Sequence, residues 1–140
     1  MRVSARNQIA GKVIKIQKGV IDSFVSLELQ GGDVLSVLVT NDSLKALDIK
    51  LESVFFALFK ACSVSVKKGA VCKKNEQNCF IGSIERINKT EQTSEIIVAL
   101  NAKNTICASL TTANLEKLEL KEGLEVSLRC DAKNIILGTI

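Results

Sequence analysis

Short runs of alternating or continuous apolar residues recur along the chain. Residues 24–29 alternate between apolar and polar side chains, and residues 34–39 are rich in valine and leucine, as is typical of β-strands. Gly31, Gly32 and Asp33 lie between these two runs and predict a hairpin turn. The complete pattern predicts strands at residues 9–16, 24–29, 34–39, 55–59 and 63–66.

One short helix is expected among these strands. Asn41, Asp42 and Ser43 can cap a helix, and Leu44 and Leu47 follow at a spacing that places both on one helical face. The predicted order is therefore three strands, a helical turn and two strands. This order suits a small OB-like β-barrel of five strands, and the fold class is all-β.

The chain repeats itself with a constant offset of 71 positions and no gap. A match at one fixed offset is the mark of a duplicated folding unit. The matched pairs include Asn7 with Asn78, Gly11 with Gly82, Thr40 with Thr111, Leu44 with Leu115 and Ala61 with Ala132. We predict two tandem domains, copy one at residues 1–68 and copy two at residues 74–140, with a polar linker at about residues 67–75. Because each copy is small, we expect intimate packing between copies, between chains, or both.

Composition indicates a folded protein without a membrane span. Hydrophobic residues make up 46% of the chain and charged residues 24%, which allows a substantial core. The apolar run at residues 53–59 ends at Lys60, far short of the roughly 20 residues of a membrane helix. Residues 1–6 are followed at once by Asn7 and Gln8, without the apolar segment of a signal peptide. We therefore expect an intracellular protein.

Cysteine and histidine usage bears on metal binding and catalysis. The five cysteines form no CxxC pair, and the absence of histidine removes the commonest metal ligand and general base. We interpret all five as buried or surface thiols, with a disulfide between Cys72 and Cys79 as the alternative. No constellation of nucleophile, base or metal is present, so we predict a binding protein and not an enzyme, with no directly bound metal cation.

Two segments of copy one could hold a tetrahedral oxyanion. Residues 1–69 hold ten Lys and Arg against six Asp and Glu, whereas residues 70–140 hold nine against nine. Ser4 and Arg6 would project from the same face of an extended strand. Residues 60–63 add Lys60, Ser63 and small side chains that allow close approach to backbone N–H groups. Neither segment contains an acid. An ordinary solvated surface is the alternative explanation of this spacing.

Specific motifs resemble those of a known family. Ser4-Ala5-Arg6-Asn7-Gln8, Leu38-Val39-Thr40 and Leu58-Phe59-Lys60-Ala61-Cys62-Ser63-Val64 resemble the Mop domain of molbindins, also called the TOBE domain. The likeness covers copy one from end to end and copy two through the duplication. It implies a cytoplasmic protein that binds molybdate or tungstate without an organic cofactor, for molybdenum storage, buffering or homeostasis. It also implies a homotrimer of two-domain chains with oxyanions at subunit interfaces.

The resemblance implies a set of ligand residues. Ser4, Ala5 and Arg6 of one module would face residues of a neighbouring module. These facing residues are Thr40, Lys60, Ala61, Cys62 and Ser63. Val20 is a weaker candidate for a backbone contact at a second kind of site.

Copy two departs from the motif at the positions that matter most for binding an anion. Ser4 corresponds to Asn75, Arg6 to Gln77, Lys60 to Asp131 and Ser63 to Asn134. At these four positions two cations are lost and the Asp131 carboxylate is gained, and a carboxylate repels a dianion. Thr111 is retained, and Lys133 at the Cys62 position is a candidate for compensating the lost charge. We therefore predict a degenerate oxyanion site in copy two.

Two other binding functions are compatible with a small barrel. Single-stranded nucleic acid is disfavoured, because the chain has no Trp or Tyr for base stacking and at least two of Phe55, Phe56 and Phe59 are expected to fill the barrel. An oxyanion-sensing regulatory or interaction module, acting with a transporter or a transcription factor, is the stronger alternative. No membrane partner is expected.

Overall fold

Two successive units of the same element order make up the chain. A computed structural model describes residues 3–139. Each unit contains three strands, a six-residue helix, a strand, a 3-10 turn and a last short strand. The elements of copy one are β1 Asn7–Lys18, β2 Asp22–Leu29, β3 Val34–Thr40, α1 Asn41–Ala46, β4 Val54–Phe59 and β5 Ser65–Lys68. Those of copy two are β6 Cys79–Lys89, β7 Thr93–Ala99, β8 Thr105–Thr111, α2 Thr112–Lys117, β9 Glu125–Arg129 and β10 Ile136–Gly138.

The copies exchange their last strands. The two antiparallel sheets have the strand orders β10-β4-β1-β2-β3 and β5-β9-β6-β7-β8. In the first sheet Ile136 of β10 lies opposite Leu58 of β4, and in the second Ser65 of β5 lies opposite Arg129 of β9. The exchanged strands also contact the far edges of their sheets, β10 against β3 and β5 against β8, so each sheet curls back on itself. Each five-stranded sheet is therefore built from both copies.

This architecture confirms the predicted all-β class, with five strands in each sheet and one short helix in each copy. The predicted packing between copies is present in the form of the strand exchange. The division at residues 1–68 and 74–140 remains a prediction about the repeated units.

A single apolar core joins the copies. The buried side chains of both copies form one cluster, which includes Phe55, Phe59 and, from copy two, Phe80. In β1 the residues alternate between buried and exposed from Asn7 to Lys12, as the period of a strand requires. Phe55 and Phe59 thus fill the interior, as expected.

Two buried asparagines fasten each copy to the other. The Asn7 side chain donates to the Cys107 carbonyl at 2.9 Å and accepts from the Cys107 N–H at 2.8 Å. Asn78 makes the same pair of hydrogen bonds with the backbone of Ser36, at 2.8 and 2.7 Å. Because buried backbone groups need partners, these two clamps fix β1 against β8 and β6 against β3.

The helix cap differs from the prediction. Thr40 is the N-cap, since its Oγ1 accepts from the Ser43 N–H, and the helix begins at Asn41. The predicted caps Asn41, Asp42 and Ser43 instead lie inside the first turn. Asn41 is committed to other contacts, because its side chain bonds the Gly19 carbonyl and the Ser23 hydroxyl.

The interpretation of all five cysteines as thiols is wrong for two of them. Cys72 and Cys79 form a disulfide with their Cα atoms 5.7 Å apart, a separation that the bond requires. The linker also starts later than predicted, at Gly69, because β5 continues to Lys68. It is held against β9, where the Ser127 hydroxyl donates to the Gly69 carbonyl at 2.6 Å and accepts from the Val71 N–H at 2.8 Å.

Both α-helices have six residues. Within residues 3–139, no helix has the length and apolar character needed to cross a bilayer.

Candidate oxyanion site

Four of the predicted site residues line one open cavity of about 300 Å³. These are Ser4 and Ala5, which precede β1, and Lys60 and Ser63, which follow β4. The other lining residues are Val3, Leu58, Phe59, Asn134 and Ile136. Asn134 and Ile136 belong to copy two, so the strand exchange completes the wall of a cavity whose polar groups come mainly from copy one.

Pairing between β1 and β4 brings the two segments together. Asn7 lies opposite Phe59 in this antiparallel pair, so the residues just before β1 meet those just after β4. A 3-10 turn at Ala61–Ser63 then bends the chain, with the Ser63 N–H bonded to the Lys60 carbonyl at 3.0 Å. The turn holds Lys60 and Ser63 on the same side of the fold.

The cavity has the chemistry of an anion site. Lys60 supplies an ammonium group, and Ser4 and Ser63 supply hydroxyl donors. Within residues 3–139, Lys60 forms no ion pair and no carboxylate lines the cavity. Ala61 and Cys62, which begin the 3-10 turn, do not line the cavity. An anion placed here would meet donors and one positive charge without a repelling carboxylate.

Arg6 does not line this cavity. Residues 3–6 are irregular, and the strand begins at Asn7, so the expectation that Ser4 and Arg6 share the face of an extended strand is wrong. The Arg6 Nε atom lies 3.6 Å from the Glu95 Oε2 atom of copy two. Neither predicted segment contains an acid, but the fold brings the Glu95 carboxylate of copy two next to Arg6.

Glu95 and Arg6 adjoin a buried thiol on β8. Burial, followed by the nearby Glu95 carboxylate, raises the pKa of the Cys107 thiol above its usual value. The Cys107 backbone is the group that the Asn7 side chain clamps. Arg6, Glu95 and Cys107 thus form one contact region between the copies.

The remaining predicted residues are placed differently. Ala61 is buried, whereas Cys62 is exposed on the same 3-10 turn. Thr40 lines a separate cavity of about 230 Å³ beside Ile135, Ile136 and Leu137 of copy two. Val20 is 98% exposed in the turn between β1 and β2, and its carbonyl accepts from the Asn41 side chain at 3.2 Å. Within one chain none of these four residues lines the Ser4 cavity, although Ala61 and Cys62 lie between Lys60 and Ser63, which do line it.

Copy two carries an ion pair at two of the positions that line the cavity in copy one. Glu76 and Arg129 form a salt bridge, and they occupy the positions that Ala5 and Leu58 hold in copy one. The Lys73 N–H donates to the Glu76 carboxylate at 2.9 Å. This hydrogen bond, and secondarily the Arg129 guanidinium, lowers the pKa of the Glu76 carboxyl below its usual value. A carboxylate is therefore already held where the repeat would place an oxyanion.

Sequence reasoning missed three features of the site region. Glu95 lies far along the chain from Arg6, and Asn134 reaches the cavity only through the strand exchange, so neither had a local signal. Asn7 and Asn78 did have one, because they match at the repeat offset. In residues 3–139, no group of three or more His, Cys, Asp or Glu residues could hold a metal ion.

Comparison with known proteins identifies the fold and its relatives. The chain is 39% identical over 66 residues, 47% of its length and 96% of the relative's, to a probable molybdenum-pterin-binding protein of Haemophilus influenzae. It is 26% identical over 141 residues to the DNA-binding transcriptional dual regulator ModE of Escherichia coli, of which it spans 53%. Its structure matches the cytoplasmic molybdate-binding protein ModG, solved with molybdate bound, with a TM-score of 0.92 and 28% identity over 100% of both chains.

These relatives are named for binding and regulation, which supports the prediction of a binding protein and not an enzyme. The TOBE domain family matches residues 3–66 and residues 75–137, and so covers both copies. The resemblance found in the Ser4–Asn7 and Lys60–Ser63 motifs is confirmed, and the chain belongs to the TOBE domain family.

Proposed function

We propose that this protein binds molybdate or tungstate reversibly in the cavity formed by Ser4, Ala5, Lys60 and Ser63. The observation that carries the proposal is the convergence of one ammonium and two hydroxyl groups on a cavity that no carboxylate of residues 3–139 lines. Such donors replace the hydration shell of a tetrahedral dianion without any covalent step. The placement of Lys60 directly after β4 and of Ser63 in the 3-10 turn supports a site of which this part is formed before the ligand arrives.

Relatives of the chain support the identity of the ligand. ModG, which is similar over the whole chain, was solved with molybdate bound. Relatives from Haemophilus influenzae and Clostridium pasteurianum, which correspond to about half of the chain, are named molybdenum-pterin-binding proteins. Charge and shape do not separate molybdate from tungstate. Sulfate is smaller and would leave the donors stretched, so it should bind more weakly.

The biological role that we propose is storage or buffering of molybdenum in the cytoplasm. The description of ModG as cytoplasmic supports this role. A regulatory module that senses oxyanion for a transcription factor is the second candidate. It is supported by the ModE proteins, whose length is about twice the part that matches this chain. Recovery of a stable complex with a partner protein, dependent on molybdate, would favour the second role.

Self-association, most simply as a homotrimer, is part of the proposal. Ile14, Val34 and Leu51 of copy one are exposed. Their counterparts in copy two, Glu85, Thr105 and Glu122, line one shared cavity, which indicates that the three copy-one residues also share a surface. We call Ile14, Val34 and Leu51 the apolar face. An apolar face on one copy only favours contact between copy-one units of different chains.

In the proposed assembly, Thr40 and Val20 contact oxyanions from a neighbouring chain or at a second kind of site. Because Thr40 lines a different cavity within its own chain, it would reach a Ser4 cavity only from a neighbouring chain. The Val20 turn is fully exposed and is available for a backbone contact at a second kind of site.

Isothermal titration with molybdate, tungstate and sulfate, combined with the native mass in the same buffer, tests the proposal. We expect tight binding of the two larger oxyanions, weak binding of sulfate, and a mass of three chains. Absence of heat and of thermal stabilisation with all three anions would refute oxyanion binding. A monomer that still binds molybdate would refute only the assembly.

A further inference from the structure

The Arg6 guanidinium is engaged by a carboxylate from the other copy. Its Nε atom lies 3.6 Å from Glu95 Oε2, with the Arg6 side chain 50% and the Glu95 side chain 34% exposed. Arg6 follows Ala5, which lines the oxyanion cavity, by a single residue. The backbone of Arg6 therefore stands at the edge of the cavity, while its charge is directed to β7.

This arrangement withholds a cation from the cavity. A carboxylate and a tetrahedral oxyanion compete for the same guanidinium donors, because both are negatively charged acceptors that guanidinium binds in a bidentate manner. Glu95 also carries a negative charge near an expected dianion, which lowers the affinity by repulsion. The competition and the repulsion both lower the affinity of the cavity for an oxyanion.

The pair occurs at only one of the two equivalent places in the chain. The counterpart of Arg6 in copy two is Gln77, and the counterpart of Glu95 in copy one is Phe24. The cation and the carboxylate are thus absent together at the second place. Glu95, although it belongs to copy two, lies beside the copy-one cavity segment that carries Arg6. Neither residue type is present at the equivalent place near Glu76 and Arg129.

Partial exposure keeps the pair weak enough to exchange. An ion pair between half-exposed side chains shifts an equilibrium by less than about fivefold, since water screens the charges. Arginine is also long and flexible enough to change partners without moving the backbone. A dianion in the cavity can therefore take Arg6 from Glu95 at a modest cost.

We propose that Glu95 sets the oxyanion affinity of the copy-one cavity by competing for the Arg6 guanidinium. The inference rests on the proposed oxyanion binding and adds a residue that tunes it. Glu95 belongs to neither ligand segment and acts on the ligand through Arg6 and through its charge.

Titration of Glu95→Gln with molybdate tests this proposal. Glutamine keeps the size of the side chain but removes the charge, so the dissociation constant should fall about two- to fivefold. The difference should shrink in high salt, because screening weakens both the pair and the repulsion. Glu116→Gln is the matched control, since Glu116 pairs with Lys89 on the surface at 2.7 Å and its loss changes the net charge equally. The control should bind as the parent does.

A second background separates competition for Arg6 from the general effect of charge. In an Arg6→Ala protein, Glu95→Gln should improve binding by a smaller factor than in the parent, because the shared donor is gone. Equal factors in the two backgrounds would overturn the proposal. Thermal melting of all four proteins should confirm that each is folded.

The outcomes also distinguish this inference from the function on which it rests. Parent protein that binds molybdate with an affinity unchanged by Glu95→Gln overturns the role of Glu95 alone. Weaker binding by Glu95→Gln also overturns it, because Glu95 would then orient Arg6 toward the ligand. If neither protein binds molybdate, the proposed function fails and the inference fails with it.

Discussion

The two copies share a skeleton but differ wherever a ligand or another chain could be met. Asn7 and Asn78 make identical clamps, and Thr40 and Thr111 cap equivalent helices. Gly11 has a similar counterpart in Gly82, since a Cβ at either position would lie under 3.0 Å from atoms of the neighbouring strand. Groups that hold the backbone in place are therefore retained in both copies.

The difference lies in the cavity and on the outer surface. In copy one the cavity is lined by Ala5, Leu58 and Lys60, whereas copy two has Glu76, Arg129 and Asp131 at these positions. The apolar face of copy one is matched in copy two by Glu85, Thr105 and Glu122. The two copies thus share the residues that build the fold and differ in their surface chemistry. Copy two also supplies β10 to the first sheet through the strand exchange.

The largest expected contrast is between Lys60 of copy one and its counterpart in copy two, Asp131. Lys60→Ala should weaken molybdate binding by about tenfold to a hundredfold, because a charge-assisted hydrogen bond contributes roughly 1.5–3 kcal/mol. Asp131→Ala, the equivalent change in copy two, should leave the affinity unchanged or slightly improved. Isothermal titration of both variants measures the contrast. Equal losses would show that copy two binds as copy one does.

The asparagine clamps should show no contrast between the copies. Asn7→Ala leaves the backbone N–H and C=O of Cys107 without partners, and Asn78→Ala does the same at Ser36, so each should lower the free energy of unfolding by about 1–3 kcal/mol. Asn114→Ala, at an exposed position of α2, is the control. Urea denaturation gives the three values. A large cost for one clamp and none for the other would contradict an interface that both copies hold equally.

Introducing the surface charges of copy two into copy one should weaken the proposed self-association. Ile14→Glu combined with Leu51→Glu gives copy one the residues that copy two carries at Glu85 and Glu122, so the fold should accept them. We expect a subunit dissociation constant at least about tenfold higher, because apolar burial is lost and like charges meet. Sedimentation velocity over a range of concentrations measures it. An unchanged assembly would exclude the apolar face from the contact, and Glu85→Ala with Glu122→Ala serves as the control.

Thiol reactivity should give the smallest contrast. Cys62 is exposed on the Lys60–Ser63 turn, whereas burial raises the pKa of the Cys130 thiol to about 11 and also raises that of Cys107. A raised pKa means less of the reactive thiolate at about pH 8, so iodoacetamide should label Cys62 first. Saturating molybdate should slow this labelling a few-fold. Mass spectrometry of timed digests follows all three thiols, and labelling of Cys130 before Cys62 would contradict the structure.

Local sequence patterns predicted the strands and pointed to the two segments, at Ser4 and at Lys60–Ser63, that meet at the cavity. Apolar and alternating runs placed the strands of copy one to within about two residues at each end, and the last of them lies at Ser65–Lys68 instead of residues 63–66. The helix differs at its cap, where Thr40 replaces the predicted Asn41 and its neighbours. Ser4, Lys60 and Ser63 were grouped from their side-chain chemistry and from the family resemblance, which placed them on neighbouring modules. The structure brings them to one cavity within copy one, because β1 and β4 pair and their adjoining segments meet.

Features that depend on the arrangement of the copies could not be predicted. Strands β5 and β10 have only four and three residues, too few for their patterns to show with which copy each one pairs. Arg6 was assigned to the same face as Ser4 because an extended strand was assumed, but the chain there is irregular and Glu95 attracts the side chain. The Cys72–Cys79 disulfide depends on how the linker turns against β9, which composition does not reveal.

The central claim is the proposal that the copy-one cavity binds an oxyanion and that the equivalent place in copy two, which holds the Glu76–Arg129 pair, does not. Crystals of the wild-type protein soaked in tungstate, measured at the tungsten absorption edge, test it directly. The account predicts an anomalous peak in the cavity of Ser4, Lys60 and Ser63 and none beside Asn75 and Asp131. Peaks of equal height at the two places, with the Glu76–Arg129 pair opened, would contradict it.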